Sequence, residues 1–252
     1  MCNDCSGDNQ GEGGGESRRG FLRLGLMGAG AIAVSALGGA ARADECMAFG
    51  ADAQGAITPD QAVAKLMEGN ARFLAGQSLH CDLLAQAEAV AEKQTPFACV
   101  LGCMDSRAAP ELIFDQQIGD IFVSRVAGNL ATPEIIGSFE YGTKVAGAKA
   151  IVVLGHSHCG AIKGAIDKAD VGANLTALLD EIEPVVLAVH HEGERSSKNH
   201  ELVEAVAEAN ARDAAAKLVA ASPVLAERVA AGELVVVAAI YDIDTGAVRL
   251  LA

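Results

Sequence analysis

Four stretches constrain this chain most: residues 97–104, 121–127, 150–155 and 234–243 are apolar, rich in β-branched side chains and of strand length. They do not alternate apolar with polar. A strand apolar on both faces must be covered on both, which is the situation of a parallel strand between two layers of helix. Helical patterns fall between the runs. Thr58 is placed to cap a helix with Pro59 at its first position and Ala62, Val63, Leu66 and Met67 on one face. Further helical patterns cover residues 83–93, 133–145, 160–168, 174–191 and 199–219, and Pro223 restarts a short helix ending near Gly232. Asp244-Thr245-Gly246 reads as a turn into a last short strand over residues 247–251. The expected fold class is α/β: a central, mainly parallel sheet of four parallel strands plus a short edge strand, flanked by helices. Ligands in such sheets gather outside the carboxyl ends of the strands.

The chain has 252 residues, 51% hydrophobic and 21% charged, enough for one sizeable domain after an N-terminal extension. A net charge of −14 and 4% aromatic residues argue against nucleic acid, which is bound through basic stripes and stacking platforms. After the N-terminus no segment has the ~20 apolar residues a membrane span needs, so no stable membrane anchor is expected. Residues 1–43 read as an export signal. A polar, Gly-rich start leads to Ser17-Arg18-Arg19-Gly20-Phe21-Leu22, then a weakly apolar stretch, then Ala41-Arg42-Ala43. The Ser-Arg-Arg-x-Phe-Leu core looks like a twin-arginine signal, which implies the twin-arginine translocase as a transient partner and a periplasmic destination. The mature chain then begins near Asp44, and residues 44–252 form the single domain.

Two short segments carry the chemistry. Cys103-Met104-Asp105-Ser106-Arg107 and His156-Ser157-His158-Cys159-Gly160 each stand at the carboxyl end of a strand-like run. In an extended segment residues i and i+2 point the same way, so Cys103 and Asp105 can face one point. A strand-to-helix turn can present His156 and Cys159, three apart, to the same ion. Two thiolates, an imidazole and a carboxylate are a zinc donor set. Arg107 stands where a bidentate pair would hold Asp105 off the metal and leave the fourth position to water. A closed structural Cys₂HisAsp site, a Cys103–Cys159 redox pair and His158 as the ligand are the competing readings.

Taken together these segments resemble the β-class carbonic anhydrases, and the likeness covers most of residues 58–251. It includes Gly119-Asp120-Ile121-Phe122-Val123-Ser124-Arg125-Val126-Ala127-Gly128-Asn129, similar to the family's second strand. Ser138-Phe139-Glu140-Tyr141 resembles the helix that follows, and Tyr241-Asp242-Ile243 with Thr245-Gly246 resembles a late strand and turn. The resemblance implies one zinc ion per chain on Cys103, Asp105, His156 and Cys159, with Asp105 and Arg107 as the catalytic dyad. It further implies a plant-like pocket. Gln94, nine residues before the first cysteine, would donate to substrate from across a dimer. Phe122 and Tyr141 would wall the CO₂ pocket, beside the backbone N–H of Gly160. Val100 stands where the bicarbonate-inhibited type carries a tryptophan, and the chain has no Trp.

The implied reaction is reversible hydration of CO₂ to bicarbonate and a proton by a zinc-held hydroxide that Asp105 orients. His158, His190, His191 and His200 are the candidates for carrying the proton to solvent. A homodimer or higher homo-oligomer is implied by the placement of Gln94. Hydrolysis of carbonyl sulfide or carbon disulfide on the same scaffold, and a non-catalytic zinc-binding module, are the alternatives. Among the other cysteines, Cys99 belongs to a strand and the core, and Cys46 and Cys81 are candidates for a disulfide whose proximity sequence cannot establish.

Overall fold

The computed structural model describes Cys46, Met47 and residues 49–251. The export signal expected over residues 1–43 lies outside the described residues. In chain order the elements are α1 Ala51–Ala56, α2 Pro59–Leu74, α3 Leu83–Ala89, β1 Ala98–Gly102, α4 Pro110–Ile113, β2 Ile121–Arg125, α5 Pro133–Glu140 and β3 Ala150–His156. There follow α6 Gly160–Ile166, α7 Ala173–Asp180, α8 Glu183–Ala188, α9 His200–Ala220, α10 Pro223–Ala230, β4 Val235–Tyr241 and β5 Val248–Leu251. No helix among the described residues is long and apolar enough to cross a membrane.

The strands form one sheet in the order β2-β1-β3-β4-β5. The first four are parallel, and β5 returns antiparallel against β4. This is the architecture expected from the four two-faced runs. Successive residues of β1 and β3 feed opposite cores. Cys99, Leu101, Ile151 and Val153 pack with Val203, Val206 and Leu218 of α9, whereas Ala98, Val100, Val152 and Leu154 pack with Ala62, Val63 and Leu66 of α2. Each face gathers enough apolar surface to hold its helical layer, because buried area is what drives the layers together.

Connections leave β1 and β3 toward opposite edges of the sheet, β1 to β2 and β3 to β4. Their carboxyl ends therefore border the crevice where an open α/β sheet takes its ligand. Gly155, one residue before the end of β3, permits a close approach. A Cβ there would lie 2.8 Å from Ile240 Cδ1 and 3.3 Å from the Ala211 methyl, so α9 closes directly over the strand.

Local chemistry explains most boundaries. Thr58 caps α2 through a complete capping box with Gln61 (3.2 and 2.9 Å). The helix expected over residues 174–191 is two helices, because Pro184 removes a donor and starts α8 afresh. The helix expected over 83–93 stops at Ala89. Only Gln86 of it is buried, and the chain must be extended by Thr95, which precedes Pro96. Residues 133–145 begin as α-helix but finish as a π turn, Tyr141–Val145. There the Thr143 hydroxyl donates to the Phe139 carbonyl (2.8 Å), a side-chain bond that competes with the helix ladder.

Cys46 and Cys81 form a disulfide across 35 residues of chain. A cross-link of that span restricts the unfolded chain by about 4 kcal/mol in the chain-entropy picture.

Candidate active site

β1 and β3 deliver the metal-binding groups. Cys103 follows β1 directly and His156 ends β3. Gly102 is in register with Leu154, so the two groups emerge side by side. Cys159 caps the start of α6. The ligand atoms of Cys103, His156 and Cys159 lie within 4.8 Å of one another, and all three residues are buried.

The surroundings fit a zinc ion. Nδ1 of His156 pairs with the Ser157 carbonyl at 2.9 Å, which makes Nδ1 the protonated nitrogen and leaves the lone pair on Nε2. That Nε2 is buried and has no hydrogen-bond partner. An orphaned imidazole nitrogen beside two buried sulfurs is costly unless a cation takes the lone pairs. The Gly128 N–H points at Cys103 Sγ (3.4 Å), and Arg125 Nε donates to the Cys103 carbonyl (2.9 Å). A hydrogen bond from Cys159 lowers the Cys103 thiol despite its burial, and the same contact raises Cys159. One of the two sulfurs is thus predisposed to be a thiolate. Burial works against charge on His156, but the neighbouring Cys103 sulfur, the Ser157 carbonyl and Asp105 together outweigh it and the net displacement is upward.

Asp105 stands outside this cluster. Arg107 clasps it on both oxygens, Nε to Oδ1 at 2.9 Å and Nη2 to Oδ2 at 2.7 Å, while the Arg107 backbone N–H adds a third bond at 3.0 Å. These bonds hold the Asp105 carboxyl well below the usual carboxylate range. Oδ2 lies 4.0 Å from His156 Nε2, close to the metal cradle yet already committed to the guanidinium.

A cavity of about 340 Å³ opens onto Cys103 and Asp105. Gly160 borders it, and Ala161, Val171, Leu175 and Leu179 make it mostly apolar. Phe122 and Tyr141 lie elsewhere. They meet edge to face at 6.2 Å and line a separate groove along β2 and α5, with Tyr141 half exposed. Gln94 is exposed four residues before β1, at the end of the strand remote from Cys103. The five steps from Ala98 to Cys103 alone span about 16 Å. One chain therefore brings together Cys103, Asp105, Arg107, His156, Cys159 and Gly160, and keeps Gln94, Phe122 and Tyr141 apart from them.

His158 is not among the clustered metal-binding groups. Its Nε2 pairs with Asp244 Oδ2 at 2.7 Å, and its ring stands edge-on to that of His200 at 5.6 Å. His191 is instead bonded to Asn199 at 2.7 Å. Cys99 is fully buried, and burial pushes its thiol up to about 12.

Three contributors had no distinct signal in the sequence. Ser157 orients His156 through a main-chain carbonyl, which any residue supplies. Arg125 acts at a distance of 22 residues from its acceptor. Gly128, at φ +72°, needs glycine both for that angle and because a Cβ would meet Ile182 Cδ1 at 2.8 Å. Beyond its place in the family-like segment 119–129, its sequence signal is the glycine itself just after a strand.

Comparison with known proteins agrees with this geometry. The carbonic anhydrase family profile matches residues 98–248. Carbonic anhydrase 2 of Mycobacterium tuberculosis is 36% identical over 193 residues, covering 75% of this chain and 90% of that protein. The carbonic anhydrase of Mycolicibacterium smegmatis is 34% identical over 197 residues, 76% of this chain and 93% of its own. Among solved structures, the Coccomyxa β-carbonic anhydrase in complex with acetazolamide superimposes with a TM-score of 0.59 at 26% identity, covering 65% of this chain and 75% of that one. A tetrameric β-carbonic anhydrase from Sordaria macrospora gives 0.57 at 28% identity, covering 66% and 85%. The chain belongs to the β-class carbonic anhydrase family.

Proposed function

We propose that this protein catalyses the reversible hydration of CO₂ with one zinc ion held by Cys103, His156 and Cys159, and with Asp105 and Arg107 as its catalytic dyad. The observation that carries the reading is a carboxylate clasped on both oxygens beside a buried cradle of two sulfurs and one imidazole. When bound, zinc supplies a Lewis acid that lowers the pKa of water toward about 7. The residues of the chain do the rest. Arg107 keeps Asp105 off the cradle and ionised. Asp105 retains lone pairs to accept a hydrogen bond from the nucleophile and so fixes its direction of attack. Gly160 opens α6, so its N–H has no acceptor within the helix and can donate to a substrate oxygen. The apolar cavity beside Cys103 favours a small, uncharged substrate and disfavours bulk water.

The pocket is of the plant-like type in this reading, completed by Gln94, Phe122 and Tyr141 of a second copy. Their separation from the metal-binding residues of their own chain supports it, since none can serve the site from where it stands. A tetrameric assembly in the Sordaria relative is consistent with a homo-oligomer here. Residues 1–43 act as a twin-arginine signal, and the domain works in the periplasm after crossing in folded form. The Cys46–Cys81 disulfide favours an oxidising compartment. Folding around zinc before export protects the Cys103 and Cys159 thiolates.

Stopped-flow CO₂ hydration on the chain beginning at Asp44, with zinc measured on the same sample, tests the reaction. Turnover with about one zinc per chain is expected. Full zinc without hydration between pH 7 and 9 would refute it and direct attention to sulfur analogues of CO₂.

A further inference from the structure

Helix α3 is held on the protein by very little packing. Leu83 and Leu84 are 56% and 71% exposed, Gln86 is its one buried residue, and no α3 residue belongs to either apolar core cluster. A cavity of about 520 Å³ lies between α3 and the segment that precedes α1, bounded by Cys46, Phe49, Ala85, Gln86, Val90 and Thr95. Without an apolar contact surface, α3 keeps its place through discrete ties.

Several of those ties run to Cys46 and Phe49. The Cys46–Cys81 disulfide fastens the chain just ahead of α3. The Gln86 amide donates to the Cys46 carbonyl (2.9 Å) and to Gln117 Oε1 (3.1 Å), and its own oxygen accepts from the Ile118 N–H (3.4 Å). Beyond the exposed residues 91–94, the Thr95 hydroxyl donates to the Phe49 carbonyl. The Phe49 N–H in turn donates to Asp120 Oδ1 at 3.2 Å. The segment is therefore bonded to the chain on both sides of Gln94, while Gln94 itself is exposed and has no bond of its own to the body of the fold among those described.

We infer that the disulfide-anchored Cys46–Phe49 segment is a positioning device for Gln94, setting the loop that carries the amide to the substrate of the second copy. This rests on the reading of Gln94 as a substrate donor. A loop tethered at both ends presents its side chain with little loss of conformational freedom on binding; a loop tethered at one end does not. Cys46, Cys81 and Gln86 touch no reacting group, so they act through Gln94 and should leave zinc binding alone.

The test is a double-mutant cycle on the zinc-loaded oligomer, comparing the Cys46→Ser/Cys81→Ser variant with Gln94→Ala and with the combined variant. Gln94→Ala should lower kcat/KM about tenfold, the loss expected for one hydrogen bond. Removing the disulfide should lower it by about fivefold in the wild type and by less than about twofold when Gln94 is already alanine. Zinc content should be unchanged, and amide exchange should accelerate over residues 82–95 while β1 and β3 stay protected. An equal loss in both backgrounds, or no loss in the wild type, would overturn the inference. No effect of Gln94→Ala would instead overturn the assignment of Gln94 beneath it. If the serine variant fails to fold, Gln86→Leu with the disulfide intact removes the bond to the Cys46 carbonyl together with those to Gln117 and Ile118, and must show the same dependence on Gln94, or the inference fails.

Discussion

Replacing Gly128 by alanine tests how the metal cradle is built. Gly128 occupies φ +72°, ψ 15°, a left-handed conformation that costs a residue with a Cβ about 1–2 kcal/mol. The new methyl would lie 2.8 Å from Ile182 Cδ1 and 3.4 Å from the Ala161 Cβ. Ile182 is fully buried, so its terminal methyl can retreat only by disturbing its neighbours, at about 1–3 kcal/mol. The terminal position of that methyl places the steric part toward the lower end, and the expected total is about 2–4 kcal/mol. The same residue donates to Cys103 Sγ and accepts from Asn210 Nδ2 at 2.7 Å, so displacement of the loop should also weaken zinc affinity, by roughly 10- to 100-fold. The assay is urea unfolding at a series of free zinc concentrations extrapolated to zero, with zinc affinity measured separately, since metal that binds only the folded state adds its own stabilisation. Ile182→Val removes the clashing Cδ1. In that background Gly128→Ala should cost only the backbone component, about 1–2 kcal/mol. A total below about 0.5 kcal/mol, within the range of ordinary surface changes, would refute the reasoning. So would an identical cost in the Ile182→Val background.

Arg107→Ala should leave zinc bound but let Asp105 swing toward the cradle; turnover should fall about 100-fold through lost orientation, and added guanidinium should restore part of it. Unchanged turnover would remove the dyad from the mechanism. Because Arg107 depresses the Asp105 pKa, the pair favours the folded state above the unfolded-state value of about 3.9 and loses that contribution as pH falls through the lower folded-state value. Carboxyl-resolved NMR should find Asp105 still ionised near pH 3.9. An ordinary value in the wild type would mean the clasp does not persist in solution.

The sheet was legible because its signal is redundant. The runs of β1 and β3 are apolar almost throughout, and burial on both faces leaves few alternatives to an inner parallel strand. Ser124 and Arg125 of β2 and Asp242 after β4 are the polar exceptions in the other two. The metal-binding residues were legible for a different reason: Cys103, His156 and Cys159 combine rare residue types at strand ends. What escaped depends on single competing bonds or on distance along the chain. The π turn at Tyr141 turns on the Thr143 hydroxyl, and the break in residues 174–191 on one missing N–H at Pro184. Helical periodicity sums over many residues and is blind to both. The meeting of Cys46 with Cys81, and the bonds that join Gln86 to the segment before α1, are products of the folded chain alone. The separation of Gln94 from Cys103 accords with its expected place across a dimer, since an intervening strand sets the two at opposite ends.

The disposition of sulfur has a consequence for chemical durability. Among the described residues Cys46 and Cys81 are already joined, and Cys99 is sealed in the core with its thiol pushed up to about 12. A thiol in that state carries almost no thiolate and reacts slowly with oxidants. That leaves Cys103 and Cys159, whose sulfurs zinc would occupy. Resistance of these described cysteines to oxidative ageing is then set by metal occupancy: with zinc bound none of them offers a ready thiolate, and each loss of zinc exposes two sulfurs already close enough to join. Storage life outside the reducing cytoplasm should follow the zinc off-rate, whatever the margin of folding stability.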